Sequence, residues 1–202
     1  YLIAGDVNGV VKRIDIETMT EVWTSSLHTG SVNGVYVNTD GFAVSSSADG
    51  YVKKFGITDG LMEWEYGDGT NTFYEIDVYP DGNVYTGDIN GDVHKIDSVG
   101  LGVWQKNIHP TEAFGTAVSE YGEVYSSGRD TNVVKLDSSG EIVWTYSDHT
   151  GIVGTLDVNE RPVIMAHVDL SVEWENLVAP TTISGMTYSQ IESTMTAPTP
   201  TY

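Results

Sequence analysis

Residues 84–104 read VYTGDINGDVHKIDSVGLGVW. The stretch holds two strand-like runs around the pair Asn90-Gly91, a second turn at Gly100 and a terminal Trp104. Asn-Gly suits a tight hairpin because both central residues of such a turn need positive φ. The same pattern is written several times along the chain. Trp23, Trp64, Trp104 and Trp144 stand 41, 40 and 40 residues apart. A turn precedes each corresponding strand, at Asp6-Val7-Asn8-Gly9, Ala48-Asp49-Gly50, Ile89-Asn90-Gly91 and Asp130-Thr131-Asn132. Each turn is followed by a valine and then a base, Val11/Arg13, Val52/Lys54, Val93/Lys95 and Val133/Lys135. Upstream sits another turn and strand, at Asp40-Gly41, Asp81-Gly82 and Tyr121-Gly122.

Each unit therefore reads as four short strands joined by Gly-, Asp- and Asn-bearing turns. A period of about 40 residues with four strands per period predicts a β-propeller blade. One four-stranded sheet buries neither face alone, so blades must cover one another. Trp23, Trp64, Trp104 and Trp144 are expected to wedge between neighbouring blades, and Gly9, Gly50 and Gly91 to form the turns. A stacked aromatic sugar site is the other use for such a Trp series. The predicted fold is all-β: about five four-stranded units, the first and last incomplete, plus an extended C-terminal arm.

The run Gly82 to Gly87, with Asn90-Gly91, Lys95-Ile96-Asp97 and Trp104, resembles the pyrroloquinoline-quinone-like (PQQ-like) propeller repeat. Leu27 to Val32, Asp40-Gly41 and Ser47 to Gly50 are similar to WD-repeat blades. The resemblance covers roughly residues 1–172. Where a WD blade ends its third strand in Trp-Asp, this chain has Ile14, Phe55, Ile96 and Leu136, so the PQQ-like form fits better. Both repeats specify a scaffold more closely than a function.

Composition narrows the partners. The net charge is −20, from 29 acidic against 9 basic residues. Such an excess opposes nucleic acid and anionic membranes, and no apolar run reaches the length of a membrane span. Cysteine is absent, which excludes disulfides and thiolate sites. The acids are dispersed and lysine is scarce, a pattern expected of a protein kept soluble in molar salt, where the Debye length falls to about 3 Å. A halophilic source is the expectation, with an ordinary acidic extracellular protein as the alternative.

The chain opens at Tyr1 inside what should be a second strand, so material upstream is expected to be missing. Residues 33–66, 73–106 and 115–146 should be complete units. Residues 153–168 should begin a fifth, with Thr155 to Val158 as its first strand. The propeller is expected over 1–178. Residues 179–202, with Ala179-Pro180-Thr181-Thr182 and Ala197 to Thr201, should be a Thr/Pro-rich arm to a partner chain or a ring-closing strand.

Candidates for chemistry are few. His28, His109 and His149 each follow a repeat Trp by five residues. They could line one rim as metal ligands, or each could bond within its own blade, as the corresponding His of WD repeats does. Asp6-x-Asn8 and Asp88-x-Asn90 resemble the start of a calcium loop but lack its later ligands, so turns are the simpler reading. Arg13, Lys95 and Lys135 are each followed two positions on by Asp15, Asp97 and Asp137, and same-face ion pairs are expected. No catalytic set, phosphate loop or zinc motif is present. The sequence points to no catalytic or cofactor-binding residue, and besides a metal on the histidine rim only weak calcium binding on the acidic surface is expected.

These features together lead to the expectation of a non-catalytic structural or recognition propeller. Its partners would be other chains of an assembly, reached through 179–202, or a surface glycan or receptor. The setting would be extracellular, on a cell surface or in a virion of a halophile. The alternatives are a fragment of a quinone- or sugar-binding propeller, and an envelope assembly factor, which PQQ-like propellers resemble.

Overall fold

A computed structural model describes residues 1–37 and 41–158. The chain divides into two compact units, Tyr1–Asn159 and Glu160–Tyr202. The second unit, the boundary at 178 and the arm all lie outside the described residues.

The first unit is built of antiparallel sheets in chain order. The first sheet has three strands, β1 (Leu2–Gly5), β2 (Val11–Asp15) and β3 (Thr20–Ser25). The second has four, β4 (Val32–Val37), β5 (Phe42–Ser47), β6 (Tyr51–Gly56) and β7 (Met62–Gly67). The third runs β8 (Phe73–Val78), β9 (Val84–Asp88), β10 (Asp92–Ile96) and β11 (Gly102–Asn107). The fourth runs β12 (Ala113–Val118), β13 (Val124–Gly128), β14 (Val133–Leu136) and β15 (Ile142–Tyr146). No helix occurs among the described residues. Each sheet is an up-and-down meander, as the repeat predicts, and the leading unit lacks its first strand. Residues 152–158 form no strand, although 155–158 were expected to be one. They are held instead by side chains: Ser127 Oγ donates to the Val153 carbonyl at 3.0 Å, and the Leu156 N–H donates to Glu75 Oε2 at 3.3 Å.

The core lies between sheets. Ile3, Val11, Trp23, Ala43, Phe55 and Ile57 fill the first junction. Val44, Val52, Phe73, Ile76, Val78, Val84 and Ile96 fill the second. Tyr85, Val93, Ala113, Val124, Val134 and Leu136 fill the third. Each set draws on two successive sheets, which is why no single repeat can fold alone.

The repeat Trp residues fasten these junctions. Trp23, Trp64 and Trp104 Nε1 donate to the carbonyls of Ile57, Ser98 and Ser138 at 2.8, 3.1 and 3.2 Å. The acceptor is always 34 residues on, in the next unit. The same rings lie on Gly60, Gly100 and Gly140, whose φ values are 69°, 90° and 82°. A Cβ at Gly60, Gly100 or Gly140 would stand 2.7, 2.8 or 2.9 Å from its nearest neighbour, the first two from a ring atom of Trp23 or Trp64 and the third from the Lys106 Cγ beside Trp104. Glycine is needed there twice, for the left-handed backbone and for the close approach.

Candidate functional site

His28 and His109 are built into their blades in the same way. His28 Nδ1 lies 2.9 Å from Asp49 Oδ2, and its Nε2 2.8 Å from Ser45 Oγ. His109 Nδ1 lies 2.8 Å from Asp130 Oδ1, and its Nε2 3.1 Å from Ser126 Oγ. The carboxylate fixes the tautomer: Nδ1–H donates to Asp, and the Ser hydroxyl donates to Nε2. Burial comes first in depressing the His28 pKa, outweighing the pull of Asp49, so the imidazole is neutral at pH 7. Burial opposes ionisation of Asp49, but the Thr29 N–H and His28 hold its carboxyl below the usual range. His149 is exposed and touches Tyr146 edge-on at 5.4 Å. Of the two readings for these histidines, His28 and His109 follow the one in which each bonds within its own blade rather than the shared metal rim. The two buried ones have both ring nitrogens committed within their own sheet and its leading loop.

The candidate calcium residues sit in turns. Asp6 Oδ1 accepts the N–H groups of Asn8 and Val10 at 2.8 and 3.0 Å. Asp88 Oδ1 accepts those of Asn90 and Asp92 at 2.8 and 2.9 Å. Gly9, Gly50 and Gly91 take φ of 82°, 87° and 83°, the conformation these turns require.

Beside Gly91 lies a group that sequence reasoning missed. Asp88, Asp92 and His94 place ligand atoms within 4.8 Å of one another. All three are already engaged by hydrogen bonds. His94 Nε2–H donates to Asp88 Oδ2 at 2.9 Å, Asn71 Nδ2 donates to the same oxygen, and the Tyr66 hydroxyl donates to His94 Nδ1 at 3.1 Å. Asp92 accepts from Gln105 at 2.6 Å and Asn107 at 2.7 Å. Burial opposes the Asp88 charge, but His94 and Asn71 keep its pKa low. The third blade thus replaces the His–Asp–Ser set by a His from β10. The hairpin register was the available signal, since His94 pairs with Thr86 and Val93 with Gly87, placing His94 beside the end of β9.

The expected ion pairs between each base and the Asp two positions on are not formed. Asp15, Asp97 and Asp137 instead cap turns, accepting N–H groups two to four residues ahead. The bases lie over aromatic rings of the neighbouring strand: Arg13 over Tyr1, Lys54 over Phe42, Lys95 over Tyr85 and Lys135 over Tyr125, at 4.4–5.7 Å. Lys95 and Tyr85 are direct cross-strand partners, as are Lys135 and Tyr125. A turn needs a side-chain acceptor more than a paired base needs that particular Asp.

A cavity of about 320 Å³ opens at the first strands of successive units and is lined by Asn33, Tyr74, Glu75, Phe114, Gly154 and Thr155. Asn33, Tyr74, Phe114 and Gly154 are 41, 40 and 40 residues apart, the same step as the Trp series. The rings of Tyr74 and Phe114 meet edge to face at 4.8 Å. The Asn33 amide donates to the Phe73 carbonyl at 2.7 Å. Burial raises the Glu75 pKa above the usual carboxylate range, and Asp77 and Asp157 add to it; the N–H groups of Leu156 and Thr116 pull the other way. Asp77 is raised chiefly by burial, while its Oδ2 ties the third sheet to the fourth by accepting the Val118 N–H at 2.8 Å. The phase of these residues was readable in the sequence; what could not be read was that the first strand faces the cavity.

Comparison with known proteins agrees with this architecture. Residues 89–173 match the family described as outer membrane protein assembly factor BamB. No curated protein matches the chain. Among solved structures it is similar to the computationally designed Ika8 protein, with a TM-score of 0.70 and 21% identity over 78% of this chain. The chain spans about half the length of that protein, covering 49% of it. Four successive sheets, Trp residues wedged at the junctions between them and the family match over residues 89–173 lead to one assignment of fold: the chain is built as β-propeller blades whose repeat is similar to the PQQ-like kind.

Proposed function

We propose that this chain is a non-catalytic recognition propeller that holds other proteins in a surface or envelope assembly. The observation that carries the reading is the match of residues 89–173 to an outer-membrane assembly factor, a family whose description is an assembly role. The side chains fit a scaffold. The histidines and carboxylates most suited to chemistry, His28, His94, His109, Asp49, Asp88 and Asp130, are spent on hydrogen bonds that shape blades. The dispersed charge of −20 supports a halophilic, extracellular or virion setting. Arm residues 179–202 are proposed as one route to the partner chain.

Three measurements test this. Native mass and electron-microscope shape in molar salt should show the chain in a defined assembly, with itself or with a co-purified partner. A monomer that binds a quinone or a sugar stoichiometrically by calorimetry would overturn the reading in favour of a ligand-binding propeller. Thermal melting should move upward between low and molar KCl as screening relieves carboxylate repulsion. A melting point indifferent to salt would remove the halophilic setting and leave the scaffold role standing.

A further inference from the structure

The cavity at the first strands holds a carboxylate that its own fold engages only in part: Glu75 Oε2 accepts the Leu156 N–H at 3.3 Å, and among the described residues no base pairs with it. Its walls combine two aromatic rings, Tyr74 and Phe114, with one half-buried carboxylate, Glu75. The nearby charges are mostly negative. Asp77 and Asp157 act on Glu75, and Glu112 lies close enough to act on Tyr74. The base on that side, Arg129, is engaged by Glu112 at 3.3 Å. A carboxylate held in partial burial among other carboxylates gains by meeting a cation. Aromatic walls favour a cation that is flat and weakly hydrated, because a guanidinium loses little on leaving water and is attracted by the ring quadrupole. The volume of about 320 Å³ is at the small end for a ligand site, suited to one side chain rather than a cofactor.

We propose that this cavity receives an arginine side chain presented by a partner protein, with Glu75 pairing the guanidinium and the adjoining rings of Tyr74 and Phe114 forming the wall it lies against. The proposal rests on the reading of the chain as a protein-binding propeller and names the chemistry its partner must show. Asn33 and Thr155 also line the cavity; Asn33 Nδ2 is held by the Phe73 carbonyl, which leaves its Oδ1 and the Thr155 hydroxyl for the peptide that carries the arginine. Gly154 stands in the repeat phase of Tyr74 and Phe114, so its place in the wall carries no ring and leaves the cavity wider there.

The experiment is a calorimetric titration of the full chain, in salt that keeps it folded, with N-acetyl-arginine amide. The neutral isostere N-acetyl-citrulline amide is the paired probe. Saturable one-site binding of the arginine probe is expected, with the citrulline probe at least tenfold weaker. Glu75→Gln should weaken the arginine probe at least tenfold, and Phe114→Leu about threefold to tenfold. The exposed control Glu17→Gln removes the same charge and should change binding by less than twofold. No saturable binding, equal binding of the two probes, or equal losses in Glu75→Gln and Glu17→Gln would overturn the proposal. The probe comparison needs no variant, so it decides even if Glu75→Gln fails to fold. A negative titration beside a defined assembly in the native-mass experiment would remove the arginine site and leave the scaffold reading intact.

Discussion

Trp104 and Trp144 occupy the same position in successive repeats and have different surroundings. Trp104 donates to Ser138 in the next unit and lies against Gly140. Trp144 is 42% exposed, and every residue of β15 is exposed with it. Its acceptor by the 34-residue rule would be residue 178, outside the described residues. The same repeat position therefore does not give the same burial. What buries a repeat tryptophan is the following unit, and blade stability is a nearest-neighbour quantity. The same contrast holds for the histidines. His109 is fully buried on Asp130 and Ser126, whereas His149 is exposed.

The sharpest way to break this comparison is to remove both rings. Trp104→Ala should cost about 3–5 kcal/mol, since it leaves a cavity in the third junction and removes the bond to the Ser138 carbonyl. Trp144→Ala should cost about 1 kcal/mol, because its ring is 42% exposed. Denaturant unfolding of the two variants measures both. A loss at Trp144 equal to that at Trp104 would show that chain beyond residue 158 covers β15 as the fourth sheet covers Trp104, which the family match to residue 173 would then explain.

Next in size is Gly100→Ala. The new methyl would stand 2.8 Å from Trp64 on a backbone at φ 90°, so strain and clash add. A loss of about 2 kcal/mol or more is expected. Gly151→Ala, with nothing within 4 Å of its Cβ, should change the melting point little. Equal effects would mean that the Trp–Gly contact does not hold the junction.

The repeat made the architecture legible before any coordinates. Period, turn glycines and Trp spacing mark four strands per unit, and β4–β15 follow them. The site was less legible for a physical reason. Sequence phase places Asn33, Tyr74 and Phe114 at one level of the fold, but which face of a first strand meets the cavity depends on how sheets stack. The Asp88–His94 pair was hidden because hairpin register, not spacing, joins two residues six apart. The pairing expected between bases and the following aspartates failed because turn N–H groups compete for those carboxylates.

His109→Ala, smaller again, should cost about 1–3 kcal/mol by stranding Asp130 and Ser126, against less than about 0.5 kcal/mol for His149→Ala.

The last test is a pH profile. The His28 pKa is lowered from 6.5 by burial, so the folded chain resists taking up a proton that the unfolded chain accepts. The stability that neutral His28 contributes is present above pH 6.5 and is lost as pH falls through its folded pKa. His28→Asn should cost stability at pH 7, since Asn cannot reach both Asp49 and Ser45. It should also flatten the decline just below pH 6.5, a window in which Asp49, held low, is still ionised in both states. A variant whose unfolding free energy falls as steeply as the wild type's over that window would show that the buried imidazole is not what makes the interior blades sensitive to acid.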